Sequence, residues 1–587
     1  MSPTQEVVDF PIQKVLPPEV SVSLLETAPM FAVRPREIDP QKQGIFVNAL
    51  IEDIALRPTF LLPAAVLVQE QQGQTDQRQV LASTAGGAAL AGIGDITLAA
   101  ARYVTNIAMT HMLSQSVYGI FTTAYAIVTV LGIIARLGLE STMLRFLSIY
   151  RTKDEHGHIA GLVRFVLWTT LISGLLFGVV FFLSATALAH FLYHTDEYAL
   201  PFKESAILIP LIALQSVLAN GLLAWKAIKW KVYVDRLIQP VLTLISLGIF
   251  FLLGLRLEAA TLAAVCGFLA SVIAGQLLLS KASQQVLRGA VPRFERMTWL
   301  RFALPMLLNA FVQNALDFSD VLLLAVFTSS ALVGVYAAAD RVGYTITIPF
   351  AALSAVFSPL IAEYYTRGEY EPLANMFKVV TKWSFSLGFL LSLCLCIFHD
   401  AILNTFSSGY TLGGTALIIL SLGYLANTAV GPVWGLLLMT GRPRILLINM
   451  MVTLIINFTL MFVLVPRFNI VGTALSSACA KITLDLLGLV EVYCIMKIHP
   501  YRWDMFKPIV AGGTASGIVL LLLQFVHLND GLLAMLETLG LIILFILIYI
   551  LGLALLRFSE EDTIVFNAIR TKLGRNPYTS MRTESRR

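Results

Sequence analysis

Charge is scarce in this chain. Of its 587 residues only 13% are Asp, Glu, Lys or Arg, against about 25% in a soluble domain, and 57% are hydrophobic. That balance excludes an ordinary soluble globular protein and equally a disordered one. The net charge of +5 is too small to point to nucleic acid as a partner. Cysteine is rare too. Cys266, Cys394, Cys396, Cys479 and Cys494 all lie in apolar runs, without the spacing of a zinc site or a disulfide framework, and read as small core hydrophobes. His190, His194, Asp196 and Glu197 crowd one connection, but their spacing is that of a loop, so neither a metal nor a cofactor is predicted. There is no basic start followed by an apolar core, which argues against a cleaved signal peptide. Short alternating segments are also missing, which excludes a β-barrel.

What is present is a series of long apolar runs. Hydropathy predicts an all-α polytopic membrane protein with fourteen spans. They lie at about 84–110, 119–140, 164–187, 205–225, 237–255, 259–280, 300–326, 332–361, 378–398, 411–440, 445–465, 469–495, 507–527 and 532–556. Before them, residues 1–83 are a different material, rich in proline and acids, with a glutamine-rich stretch at Gln69–Gln79. They read as a mostly disordered cytoplasmic extension, with Ile54–Val68 too short to span. Residues 558–587 read as a cytoplasmic tail.

Lysine and arginine set the orientation. Twenty-one of them fall in the even-numbered connections, whereas the odd-numbered ones carry only Lys203, Arg256 and Arg467. Positive residues accumulate on the cytoplasmic side, so the chain is expected in the plasma membrane with both termini cytoplasmic. No connection is large enough to fold as a catalytic domain. An enzyme is therefore not expected.

The spans also repeat. Ser114–Ile127 (SQSVYGIFTTAYAI) follows the first span and Thr328–Val342 (TSSALVGVYAAADRV) the seventh. An offset of 215 pairs Gly119 with Gly334, Phe121 with Tyr336, Tyr150 with Tyr365 and Trp168 with Trp383. Six spans separate the copies, and an even number preserves orientation. The halves are thus parallel repeats about an axis along the membrane normal. The expected lobes are 84–280 and 300–497, joined by a basic linker at 281–299 and followed by two further helices in 498–557.

The elbow Tyr118-Gly119-Ile120-Phe121, the helix end Leu137-Gly138-Leu139-Glu140-Ser141 with Arg145-Phe146, and the Asp317-to-Arg341 stretch carry a resemblance. The chain resembles the polysaccharide transporter branch of the multidrug/oligosaccharidyl-lipid/polysaccharide flippase superfamily, whose best-known members are the O-antigen (Wzx-type) flippases. The resemblance covers about residues 84–500; the long N-terminal extension departs from it. It implies a flippase that moves an undecaprenyl-pyrophosphate-linked oligosaccharide across the cytoplasmic membrane for surface polysaccharide biosynthesis. It also implies an H⁺ or Na⁺ gradient as the driving force, and polysaccharide assembly proteins as partners. The alternatives are a multidrug antiporter of the same superfamily, a peptidoglycan-precursor flippase, and an integral-membrane glycosyltransferase or ligase.

Ionisable residues inside spans are functional candidates by default. Asn309, Gln313, Asp317 and Asp320 share one face of the seventh span, near Pro305. They read either as a proton- or cation-coupling site or as structural partners of Arg102 or Arg341. The eighth span carries Tyr336, Asp340 and Tyr344 on one face beside Arg341, and the first carries Asp95, Arg102 and Asn106. The 215 offset sets Arg102 opposite Asp317, which permits a cross-lobe ion pair. Ser477, Lys481 and Asp485 share a face of the twelfth span, where the spacing favours a Lys481–Asp485 pair. Arg136 with Glu140 reads as a snorkelling interfacial pair or as a substrate headgroup contact, and Arg145 beyond them as either an orientation signal or a headgroup contact. Trp434, near Pro432, reads either as a surface that stacks on a sugar face or as packing, the simpler of the two. Tyr193, Tyr198, Trp225, Trp230, Trp299, Trp383, Tyr501 and Trp503 read as interface anchors.

Overall fold

The computed structural model describes residues 101, 103–255, 258–525 and 532–556. The extension 1–83, the tail 558–587, and Asp95 and Arg102 lie outside the described residues. The described chain is helical, with no strand among the described residues. The first predicted span is represented by α1 (103–112). The N-lobe continues with α2 (Gln115–Ala135), α3 (Leu139–Thr152), α4 (His156–Tyr193), α5 (Leu208–Ala224), α6 (Ile228–Leu252) and α7 (Ala259–Leu287). The C-lobe holds α8 (Arg296–Phe327), α9 (Ser330–Gly343), α10 (Ile348–Arg367), α11 (Tyr370–Ile397), α12 (Gly414–Val430), α13 (Val433–Met439) and α14 (Pro443–Met496), before α15 (Phe506–Phe525) and α16 (Leu532–Leu555).

Glycine and proline mark the breaks. Between α2 and α3 Gly138 takes φ +72°, and between α12 and α13 Gly431 takes φ +77° ahead of Pro432. The 54-residue α14 is not straight, because Asn469 leaves helical geometry (φ 48°, ψ −124°) just after Pro466. A Cβ on Gly472 would strike the Leu464 backbone. A continuous helix would hold those residues about 12 Å apart along its axis. The chain therefore folds back on itself there, giving two arms. Ten described helices are long and apolar enough to cross a membrane, twelve when each of two bent pairs is one span. With α14 counted as two, they account for the second to fourteenth predicted spans. The eighth is corrected in shape: α9 and α10 are separated by a 3-10 turn, Tyr344–Thr347, instead of forming one helix.

Packing repeats with the sequence. In the N-lobe α5 packs on α4 and α7, and in the C-lobe α12 packs on α11 and on α14. The lobes meet where α2 lies against α9. A Cβ on Gly119 would strike the Ser330 carbonyl, and one on Gly334 would strike the Gln115 carbonyl. Gly119 and Gly334 are 215 residues apart, and so are Gln115 and Ser330. The two contacts are one contact seen twice, which requires a pseudo-two-fold axis between α2 and α9. Only the lack of side chains at both glycines lets the backbones approach so closely.

The hydrophobic core divides unevenly. At the end poor in Lys and Arg, one cluster unites both lobes, with Tyr118, Val128 and Phe202 packed with Val335, Tyr336 and Tyr410. At the basic end there are two clusters. One gathers Leu147, Val166 and Leu222 of the N-lobe with Trp299 and Ala303 of α8; the other gathers Phe357, Phe377 and Val433 of the C-lobe. The lobes are fused at one end and separate at the other, apart from the root of α8. A fourth cluster docks α15 and α16 on α11 through Cys394, Phe398, Ala515 and Phe545.

Outer helix faces expose large apolar residues such as Leu183 (74%), Phe191 (79%) and Leu277 (66%). Water would not tolerate such a surface, and lipid would. The same logic corrects two expectations. Cys479 and Cys494 are exposed and not in the core, because in lipid an outward face is also apolar. Trp299, Tyr193 and Tyr198 are buried rather than interfacial: Trp299 donates to Tyr150 Oη at 3.0 Å, and the two tyrosine rings stack 4.8 Å apart. Trp230 and Trp503 are exposed, as anchors require. The inter-lobe linker is docked by its backbone. Arg293 N donates to Gly157 O at 2.9 Å, and Gly161 leaves room for the Arg293 peptide.

Candidate functional site

The buried polar groups of the C-lobe converge on α8, α9, α12 and α14. Asp320, 5% exposed, accepts hydrogen bonds from Tyr336 Oη of α9 (3.1 Å), Asn457 Nδ2 of the first α14 arm (3.2 Å) and Ser477 Oγ of the second. Lys481 Nζ donates to Ser477 Oγ at 2.7 Å and stands 3.9 Å from Asp320 Oδ2. Asn457 Nδ2 also reaches Ser319 Oγ at 2.9 Å, leaving Asn457 Oδ1 buried without a partner among the described residues. Three neutral donors and one ammonium thus hold one carboxylate between α8, the α9 that follows it directly, and the two arms of α14, which lie 137 and 157 residues further along the chain. A buried acid kept in this way demands that all four elements stay in register.

The expected Lys481–Asp485 pair does not form. Asp485, 2% exposed, instead accepts from Asn427 Nδ2 of α12 (2.9 Å) and Trp434 Nε1 of α13 (3.1 Å). Helical spacing made the pair available, but the Lys481 ammonium turns to Ser477 and Asp320 and lies 4.9 Å from the centre of the Tyr424 ring. Trp434 is held by that bond and by Gly488, where a Cβ would lie 2.9 Å from the ring. Its indole does more than pack.

The four polar residues of the seventh span do not act as one face. Asp320 turns to α14, Gln313 and Asp317 are exposed, and Asn309 is half-buried. The charged groups around Asp317 are Lys481, Asp340, Asp320 and Arg341, from α9 and α14 as well as from α8 itself. A lipid-facing residue would have no such company, so Asp317 borders an open space between helices. Asp340 accepts from Tyr424 Oη at 2.7 Å, and Tyr344 meets the same ring edge-on at 5.9 Å. Arg341 forms no ion pair among the described residues. Its neighbours include Tyr118 and Tyr125 of α2, so it stands where the lobes meet.

In the N-lobe Tyr118 Oη donates to Asn106 Oδ1 at 2.8 Å. Arg136 Nε pairs with Glu140 Oε1 at 3.2 Å across the Gly138 turn and Arg136 also donates to Ser216 Oγ at 2.6 Å, a closed pair as expected. Arg145 is exposed and lies 4.5 Å over the Phe302 ring at the root of α8. Sequence reasoning overlooked Asn449, Thr453 and Asn457, all buried and one turn apart on α14. The helical-face test that found Asn309–Asp320 would have found them. It could not have found Tyr424 and Asn427, which matter only through partners on other helices. No group of three or more His, Cys, Asp or Glu able to hold a metal occurs among the described residues.

The profile of a polysaccharide biosynthesis protein family matches residues 86–365, and the MatE profile matches residues 305–463. No curated protein sequence matches the chain. The fold is similar to that of the lipid II flippase MurJ in an inward closed conformation (TM-score 0.60, 14% identity, 80% of this chain and 99% of that one). It is also similar to an inward-facing multidrug resistance MATE transporter of the MOP superfamily (TM-score 0.57, 13% identity, 69% and 98%). A MOP superfamily transporter from Pyrococcus furiosus with a binding pocket of reversed polarity matches with TM-score 0.51 and 14% identity over 70% and 96%.

Proposed function

We propose that the chain, which family models of a polysaccharide biosynthesis protein and of MatE match over residues 86–365 and 305–463, is a multi-pass membrane transporter of the multidrug/oligosaccharidyl-lipid/polysaccharide flippase superfamily that flips a polyprenyl-pyrophosphate-linked oligosaccharide out of the cytoplasmic leaflet. The basic end is taken as cytoplasmic, with both termini there. The fused core at the other end and the separate cores at the basic end then make this the inward-facing state.

One observation carries the choice of substrate. Arg341 lies among Tyr118 and Tyr125 where the lobes meet, forms no ion pair among the described residues, and like Lys481 acts on Asp317. A planar guanidinium in a low-dielectric site suits a pyrophosphate, which it binds through paired hydrogen bonds. An exporter of organic cations would need the reverse polarity there. The MatE match keeps that reading as the runner-up, and the MurJ likeness keeps a peptidoglycan precursor as an alternative cargo.

Asp317 is the coupling residue in this account. It is exposed, lies within reach of Lys481 and Arg341, and has no hydrogen bond among the described residues to fix it. A carboxylate free to take a proton or a sodium ion as the lobes rock gives the two states different affinities for the ion. The test uses proteoliposomes with fluorescent lipid-linked oligosaccharide under imposed pH or sodium gradients. Asp317→Asn should insert normally and lose the response to the gradient, whereas Arg341→Gln should raise the half-saturating substrate level about tenfold or more. Unchanged gradient dependence in Asp317→Asn removes the coupling role; unchanged affinity in Arg341→Gln removes the pyrophosphate.

A further inference from the structure

Away from the lobe interface, α4 and α7 enclose a cavity of about 250 Å³ at the basic end, lined by Arg164, Leu167, Trp168, Gln276, Ser280 and Ser283. We infer that this cavity is a binding site for an anionic phospholipid, with the lipid phosphate on Arg164. Four observations support it.

The first is depth. The 38-residue α4 is about 57 Å long against about 30 Å of hydrocarbon, so its ends leave the bilayer core. Arg164 is the last charged residue before a continuous apolar stretch and lies about 12 Å from the helix start. That sets it at the level of the lipid phosphates. The second is charge. Arg164 is exposed and makes no hydrogen bond or ion pair among the described residues, and Lys281 is exposed one residue beyond Ser280 on the same helix. The third is the polar lining. Gln276 Nε2 donates to Ser280 Oγ at 3.4 Å, which leaves the Ser280 hydroxyl proton and a second amide proton free to donate to phosphate oxygens. Ser283 is already committed to the Leu279 carbonyl at 2.7 Å.

The fourth is continuity with the lipid face. Trp168 is 63% exposed, and farther from the basic end both helices show apolar residues outward: Ile172 (61%) and Leu176 (61%) on α4, Ile273 (52%) and Leu269 (44%) on α7. An acyl chain descending between those rows meets the indole at the ester level and delivers its phosphate to Arg164. Basic pockets between spans at the cytoplasmic interface recognise anionic headgroups in this way. The lining comes wholly from α4 and α7, and none of it is among the groups around Asp317, so the bound lipid is a resident and not the cargo.

The test is native mass spectrometry of the delipidated full-length chain titrated with phosphatidylglycerol, phosphatidylcholine or glycerol 3-phosphate. Phosphatidylglycerol should bind at least tenfold more tightly than phosphatidylcholine, and glycerol 3-phosphate should not bind. Arg164→Gln should abolish that preference. Ser280→Trp, which fills the cavity from an exposed position, should remove phosphatidylglycerol binding with Arg164 intact. Arg288→Gln, outside the cavity, should change neither. Equal loss in Arg288→Gln, or full preference in Arg164→Gln, would overturn the site and leave only diffuse attraction. Binding of glycerol 3-phosphate as tightly as of the lipid would make it a soluble-phosphate site and overturn the lipid assignment.

Discussion

Gly119 and Gly334 offer a perturbation that acts on one conformation and spares the other. In Gly119→Ala the new methyl group would collide with the Ser330 carbonyl and lie 2.9 Å from the Gly334 nitrogen. Both obstacles are backbone, so neither can rotate aside. Overpacking of a close contact costs about 1–3 kcal/mol. The cost falls on the state in which α2 touches α9; when the lobes part at this end it vanishes. The ratio of the two states should therefore shift about 5- to 150-fold away from the fused form. A reporter lies alongside, because Ser116 Oγ and Ser330 Oγ approach to 2.5 Å. In a background without Cys266, Cys394, Cys396, Cys479 and Cys494, Ser116→Cys with Ser330→Cys should form a disulfide quickly. Adding Gly119→Ala should slow that reaction by the same factor, and Gly334→Ala should do likewise because the axis makes it the equivalent change. Unchanged cross-linking rates in both would refute the reasoning. So would a loss of thermal stability that is the same with and without the disulfide, since that would place the cost on the fold instead of on one state.

The remaining predictions concern other links. Asp320→Ala should lower stability by about 3–5 kcal/mol, since Tyr336, Asn457, Ser477 and Lys481 lose a common buried acceptor; thermal denaturation in detergent measures it. Lys481→Met should cost less, because its side chain is 31% exposed and Asp320 keeps three neutral donors; the two variants ranking the other way would contradict the network. Tyr150→Phe should lose about 1 kcal/mol, as its hydroxyl joins Trp299 to Glu295 at 3.0 Å each way, and a null effect would show that this bridge adds nothing to the backbone docking and the His158–Glu295 contact. Single cysteines at Ser407–Gly413 should react with an impermeant thiol reagent from outside and those at Glu369–Pro372 should not; labelling of both from one side would break the topology.

Much of this architecture was legible because a bilayer enforces it. Apolar run length and lysine placement are demanded by the solvent, so the span boundaries and the basic end emerge from counting. The repeat was legible because glycine at 119 and 334 serves one purpose, close backbone approach, that no other residue can meet. Partners were a different matter. Lys481 and Asp485 have the spacing of an ion pair, yet each is claimed by a group on another helix, and nothing along one helix encodes that competition. Burial also misled: in lipid the outward face and the core are both apolar, so Cys479 and Leu277 could not be told from core by hydropathy. The breaks at Gly138, Gly431 and Asn469 had their local signals, glycine or a nearby proline, but a signal for a break does not give the direction in which the chain resumes.

The proposal that a lipid-linked oligosaccharide is the cargo is tested most directly by transport itself. Proteoliposomes containing the full chain would be loaded in parallel with a fluorescent polyprenyl-pyrophosphate-linked oligosaccharide and with a fluorescent organic cation, under the same ion gradient. Gradient-dependent movement of the oligosaccharide between leaflets is expected, with no net flux of the cation, and in the variant carrying Ser116→Cys and Ser330→Cys the disulfide should stop that movement and reductant restore it. Cation flux without oligosaccharide movement would contradict the proposal and make the chain a multidrug antiporter.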